Sequence, residues 1–245
     1  MPVNKTIMKK QKSAGRKRTL PQPQKKLLID HLLEIAQQTV FLLDCSASAA
    51  NMDILPDRLG AEKECSLEFL IERLKQSSRD QIAVVSYETC ARIVCKLQSI
   101  RNFQTIRSSI YGIMIGGATA MGEGLKAAER ALASAPSQSS VSSILNWFNA
   151  TPTPPQEQFL KRVILLTDGL HCHGREPLPV ALKLKNAGVQ IDCIGIGGCK
   201  SAVDEDLLKK IASIDPTTGE PRYRFIKDKQ TLNKHFQQLA TGLTR

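Results

Sequence analysis

Apolar and polar positions fall in blocks along this chain, and the period of those blocks switches repeatedly between strand and helix. Thr39–Asp44 (TVFLLD) is an apolar run of strand length that ends on an acid. Arg58–Gln76 carries Leu59, Leu67, Leu70, Ile71 and Leu74 at helical spacing. Gln81–Tyr87 (QIAVVSY) reads as a second buried strand, and Cys90–Leu97 (CARIVCKL) follows after only Glu88 and Thr89. So short a break leaves no room for a crossover helix, so this pair is expected to be antiparallel. A helix around Asn102–Tyr111 leads to Gly116-Gly117, and a stronger one runs from about Thr119 to Ser134. Lys161–Thr167 (KRVILLT) is the next buried strand and again meets an acid, Asp168. Then come a helix at Leu178–Ala187 stopped by Gly188, a strand at Val189–Ile196 and a helix at Asp204–Ala212. A strand at Arg222–Ile226 and a helix at Lys229–Thr241 close the chain.

Strand–helix alternation with continuous apolar strands predicts an α/β fold, a doubly wound and mostly parallel central sheet with helices on both faces. Cys90–Leu97 would be its one antiparallel edge strand. Ala135–Gln158 breaks the alternation: it is rich in Ser, Pro and Thr and holds the sole tryptophan, Trp147, within VSSILNWF. A loop this long in a compact domain is usually functional or disordered. Leu145, Trp147 and Phe148 either fold back on the domain's own surface or form a short helix that docks a partner.

Composition narrows the class. At 245 residues, 42% hydrophobic and 23% charged, the chain can bury a sizeable core and is not disordered throughout. No apolar run approaches the roughly 18 residues needed to span a bilayer, and no apolar segment follows the basic N-terminus as in a secretory signal. A cytoplasmic location is expected. The formal net charge of +11 is unevenly spread. Residues 1–26 hold nine Lys or Arg and no acid, which leaves 25 basic against 23 acidic residues over 27–245. The chain therefore reads as a disordered basic arm, 1–26, before a nearly neutral domain, 27–245, with its insertion at 135–158. Any nucleic-acid contact would come through the arm and, without aromatics there, would be phosphate-driven and salt-sensitive. The cysteines (45, 65, 90, 95, 172, 193, 199) form no CxxC pair and read as reduced thiols serving as small apolar side chains.

The chemistry lies where apolar strands end. Asp44-Cys45-Ser46-Ala47-Ser48 follows the first strand, Thr119 follows Gly116-Gly117-Ala118, and Asp168 sits in Thr167-Asp168-Gly169. Open α/β sheets place ligands beyond the carboxyl ends of their strands. Two carboxylates and three hydroxyls converging there would suit a hard divalent cation, Mg²⁺ with waters retained, or Mn²⁺ or Ca²⁺. Each motif alone also fits helix capping, since Asp, Ser and Thr are favoured N-cap residues.

Taken in order, D-x-S-x-S after the first strand, Thr119 after a Gly-Gly turn and T-D-G after a buried strand resemble the von Willebrand factor type A (vWA) domain with a complete metal-ion-dependent adhesion site. The resemblance covers roughly residues 37–241 and implies a Rossmann-like fold. It also implies that Ser46 and Ser48 bind the metal directly, and Thr119 directly or through water. Asp44 and Asp168 would act mainly through water or by hydrogen bonding the serines, and one open position would take a carboxylate from a partner protein. Ala118 departs from members in which Thr follows the glycines at once, although Gly116 still allows the turn. Intracellular members often work with AAA+ ATPases or in multi-protein systems, so an adaptor role is expected.

His171 and His173 in LHCHG lie just past Asp168 and are expected to line the rim and tune partner binding, since zinc would need further ligands. Gly195-Ile196-Gly197-Gly198 lacks the dinucleotide spacing and reads as a strand-to-loop turn. No nucleophile elbow, phosphate loop or dedicated base appears, so binding rather than catalysis is expected. The alternative is a nucleic-acid-associated factor acting through residues 1–26, with the domain as scaffold.

Overall fold

The computed structural model describes residues 36–134, 159–168 and 170–242. Its sheet has six strands: β1 (Gln37–Asp44), β2 (Gln81–Tyr87), β3 (Ala91–Ser99), β4 (Leu160–Thr167), β5 (Gln190–Ile196) and β6 (Tyr223–Ile226). Their order is β3-β2-β1-β4-β5-β6, parallel except for β2 with β3. Around it run α1 (Arg58–Gln76), α2 (Phe103–Tyr111), α3 (Met121–Ala133), α4 (Pro177–Asn186), α5 (Glu205–Ile211) and α6 (Lys229–Ala240). The doubly wound sheet with one antiparallel edge strand is thus present. The basic arm, the 135–158 insertion and Trp147 within it lie outside the described residues.

Alternation along β1 sorts the core into two layers. Phe41 and Leu43 face α1 and α6 on one side, where Phe41, Phe69 and Phe236 meet edge to face with ring centroids 5.3 and 6.4 Å apart. Val40 and Leu42 face the other side, with Leu125 of α3, Leu184 of α4 and Leu208 of α5. At the amino ends of the strands, two buried ion pairs hold the layers together: Arg73 Nε to Asp80 at 2.7 Å and Arg162 Nε to Asp192 at 2.7 Å.

Several boundaries differ from the apolar pattern for local reasons. β1 begins at Gln37 rather than Thr39 because its polar residues have partners: the Gln37 N–H donates to Asp80 and the Gln38 amide to Gln81. α4 starts on Pro177, whose missing N–H costs nothing in a first turn. α3 starts at Met121 rather than Thr119: Ala120, whose N–H donates to the Glu88 carbonyl at 2.8 Å, is held in a non-helical conformation, φ −101° and ψ 67°. α1 buries Leu59, Leu67 and Leu70 as their spacing predicts, but the buried face is wider and more polar than the leucines suggest. Ile71 and Leu74 are exposed, whereas Arg58, Glu62, Ser66 and Arg73 are buried beside Leu59, Phe69 and Leu70.

Candidate metal centre

The strand order reverses at β1 and β4, so the chain leaves these neighbours in opposite directions and opens a crevice beyond their carboxyl ends. Asp44 and Asp168 stand there. The register sets Asp44 opposite Tyr87 and Leu43 opposite Leu166, which brings Thr167 next to Asp44. Asp44 is fully buried, and each of its oxygens accepts hydrogen bonds. Oδ1 accepts the Ser46 N–H at 3.0 Å, and Oδ2 accepts the Thr167 hydroxyl at 2.7 Å. The Tyr87 hydroxyl lies 3.2 Å from Oδ2 and 3.1 Å from the Leu166 carbonyl, so its single proton serves one of them at a time. Burial raises the Asp44 carboxyl above its ordinary range, and these donors only partly offset that.

Asp168 is linked to the first motif through Ser48, whose hydroxyl donates to Oδ1 at 3.0 Å while lying 3.2 Å from the Ser46 hydroxyl oxygen. Burial, followed by the Asp44 charge, pushes the Asp168 carboxyl up to about 6. Arg58, on the first turn of α1, opposes this. Its Nη1 donates to Asp168 Oδ2 at 3.2 Å and to the Asp168 carbonyl at 3.1 Å. Its Nε and Nη2 clasp Asp53 at 2.8 and 2.6 Å, and Asp53 also accepts the Gly198 N–H at 2.6 Å. The glycine turn after β5 therefore braces the arginine that braces the site.

One turn further along α1, Glu62 is 0% exposed, and neither of its carboxyl oxygens has a hydrogen-bond partner. Burial, then the charges of Asp168 and Asp44, hold it well above the usual carboxylate range. Sequence reasoning missed both Arg58 and Glu62. The available signal was a polar stripe at i, i+4 and i+8 (Arg58, Glu62, Ser66) where Leu59 and Leu67 predict an apolar face.

Thr119 sits on the adjoining loop. The Gly116 N–H donates to the Cys45 carbonyl at 2.8 Å and the Ala47 N–H to the Gly117 carbonyl at 3.1 Å, which fastens this loop to the first motif. Gly117, not Gly116, carries the positive φ, +63°, and a Cβ there would lie 2.0 Å from Glu88 Oε2. Thr119 is buried, but among the described residues no hydrogen bond joins its hydroxyl to the Asp44–Ser46–Ser48–Asp168 cluster. It does not cap α3 either: Ala120 is the cap residue, with no side-chain bond. Ser46 likewise precedes a short 3₁₀ turn, Ala47–Ala50, without a capping bond. Capping therefore does not account for these hydroxyls. His171 and His173 flank Cys172, whose N–H donates to the Thr119 carbonyl at 3.1 Å, and among the described residues no hydrogen bond joins them to the Asp44–Ser46–Ser48–Asp168 cluster.

The donor set is entirely oxygen, with two carboxylates and two hydroxyls in one hydrogen-bonded group and a third hydroxyl on the next loop. Among the described residues, no three His, Cys, Asp or Glu side chains gather as a metal-ligand group. Asp44 and Asp168 are buried at the crevice, Glu62 is buried one turn beyond Arg58, and of these acids the Arg58 guanidinium touches only Asp168. That imbalance of charge and the hard oxygen chemistry fit a divalent cation of the Mg²⁺ type. All seven cysteines are free; Cys45, Cys65, Cys95 and Cys193 are buried, the Cys45 and Cys65 thiols donating to the Tyr87 carbonyl and Asn233 Oδ1, whereas Cys90, Cys172 and Cys199 are exposed.

Comparison with known proteins adds a family match and a fold match. The sequence profile of the von Willebrand factor type A domain matches residues 39–239. A search of curated proteins returned no match. Among solved structures, a von Willebrand factor type A protein from Catenulispora acidiphila is similar at 23% identity and TM-score 0.61, over 84% of this chain and 42% of that one. The SpRpn10 VWA domain is similar at 16% identity and TM-score 0.61, over 86% of this chain and 99% of that one. Proximal thread matrix protein 1 from the mussel byssus, with a zinc-occupied MIDAS motif, is similar at 21% identity and TM-score 0.62, over 85% and 48%. The chain thus spans less than half the length of the first and third of these proteins. Among the described residues, no helix is long and apolar enough to cross a membrane.

Proposed function

The chain belongs to the von Willebrand factor type A domain family, a family of protein-interaction modules, and from that premise we propose that it is a divalent-metal-dependent interaction module. The observation that carries this reading is the hydrogen-bonded group of Asp44, Ser46, Ser48 and Asp168 at the reversal point of the sheet. Ser46 and Ser48 would hold the cation, Thr119 would join them from the neighbouring loop, and Asp44 and Asp168 would orient the serines and balance charge. The mussel protein's zinc-occupied motif supports a metal at this position of the fold. An all-oxygen donor set favours Mg²⁺, Mn²⁺ or Ca²⁺ over zinc here. Such a cation, only partly neutralised by its protein ligands, would draw a carboxylate from a partner.

The rim suits a protein partner. Met52, Leu55, Met114, Ile115 and Leu170 are large apolar side chains exposed on the loops beside the cluster. Exposed apolar side chains gathered on one surface mark a protein-binding patch, and here they flank the proposed cation site. His171 and His173 would contact the partner beside these side chains, and an adaptor role in an intracellular multi-protein system, such as one built on an AAA+ ATPase, follows from this reading. Nucleic-acid contact through residues 1–26 gains no support from the comparisons.

Affinity capture from lysate in 5–10 mM Mg²⁺ and again in EDTA, with wild type and Ser48→Ala, tests the proposal. Partners retained only by wild type with Mg²⁺ are expected. The same partners retained in all conditions would exclude metal dependence.

A further inference from the structure

A carboxyl group buried without partners is expensive to keep, and more so when charged. Glu62 is such a group: both of its carboxyl oxygens are buried and unpartnered, whereas Glu68 and Arg73 on the same helix each leave a single polar atom so. Ser66 donates to the Glu62 carbonyl at 2.8 Å and therefore does not serve the side chain. Arg58, on the same helix face, spends its donors on Asp53 and Asp168.

Helical side chains lean toward the amino end of their helix. Glu62 therefore leans toward the turn from which Arg58 reaches Asp168, and Asp168 and Asp44 are the acids whose charges act on it most. A leucine would fill the same place at no electrostatic cost, as Leu59 and Leu70 do on the same face. What an apolar residue cannot do is accept hydrogen bonds from the water that Mg²⁺ keeps when only a few protein oxygens bind it. Water is the apt intermediary, since no hydrogen bond joins Glu62 to the serines or to either aspartate.

We propose that Glu62 is a third carboxylate of the metal centre, a positioning residue on α1 that holds the hydration shell of the cation bound by Ser46 and Ser48. This rests on the metal-binding reading above and extends it to a residue outside the D-x-S-x-S, Thr and Asp motifs. Outer-shell partners of this kind change metal affinity by about 10–100-fold.

Isothermal titration with Mg²⁺ of wild type, Glu62→Gln and Glu62→Leu, paired with thermal melts in EDTA, decides the matter. Glu62→Gln keeps the shape and removes the ionisable carboxyl, and should weaken Mg²⁺ binding at least tenfold. Glu62→Leu should weaken it as much while melting in EDTA at or above the wild-type temperature. A residue with a merely structural role would shift the melt and leave Mg²⁺ affinity alone. Wild type that binds Mg²⁺ while Glu62→Gln binds it within twofold would overturn the proposal and leave the metal reading standing. Wild type that binds neither Mg²⁺ nor Mn²⁺ would remove both. If the leucine variant fails to fold, the near-isosteric glutamine variant carries the decision alone.

Discussion

Replacing Arg58 with leucine removes the one guanidinium among the buried acids of the crevice. Its side chain is 7% exposed and reaches Asp168 at 3.2 Å and Asp53 at 2.6 Å. Breaking a buried ion pair from one side costs about 3–5 kcal/mol, because the remaining charge is stranded. Asp53 is 31% exposed and can rehydrate, which discounts that half of the loss. About 3 kcal/mol should remain at pH 8, or about 6–12 °C of melting temperature for a domain of this size.

The pH dependence of that loss separates this account from ordinary loss of packing. Burial raises the Asp168 carboxyl to about 6, so its folded value lies above its unfolded one. Its contribution to stability is therefore full below the unfolded value near 4 and is lost as pH rises through 6. Arg58 pulls the folded value down, so without it the carboxyl titrates higher still. At pH 5 Asp168 is protonated in both proteins, and the variant should lose only about 1 kcal/mol in hydrogen bonds. Between pH 6 and 8 the gap should open to the full figure. Urea unfolding in EDTA at pH 5 and pH 8 measures it. An equal loss at both pH values, or less than 1 kcal/mol at pH 8, would refute the reasoning.

Two other outcomes follow from the same geometry. Protons and the cation compete for Asp168, so Mg²⁺ affinity should hold above pH 7 and fall, approaching tenfold per pH unit, below about 6; calorimetric titrations at pH 5 and 8 with equal affinity would contradict this. Gly117→Ala places a Cβ at φ +63° and 2.0 Å from Glu88, which should cost about 1–2 kcal/mol from backbone conformation alone and loosen the Thr119 loop. Urea melts within 0.5 kcal/mol of wild type would show that the turn is not held as described.

Much of the scaffold is legible in the linear pattern because strands buried on both faces leave unbroken apolar runs, as TVFLLD and KRVILLT do. The antiparallel edge follows from the two residues between β2 and Cys90, too few for any crossover. The four clustered site residues are legible for a related reason: an acid that closes a buried run must stand at the rim of the sheet, and Ser46 and Ser48 follow within four residues of Asp44. Helix α1 hides the rest. Arg58, Glu62 and Ser66 look one by one like solvent-facing polar positions; the leucines beside them hint at burial, but only the contact of Arg58 with Asp168 shows what that stripe faces. The start of α3 is misread because Ala120 pairs with Glu88, a contact between loops that no local pattern encodes.

Mn²⁺ can be counted by electron paramagnetic resonance as it passes from free to protein-bound, and this measurement bears on the metal centre itself, independent of any partner. Wild type should bind one Mn²⁺ per chain, Mg²⁺ should displace it, and Ser46→Ala/Ser48→Ala should bind none while melting as a folded domain. Mn²⁺ that stays free with wild type, or that binds the double alanine variant undiminished, would contradict a cation held by these oxygens.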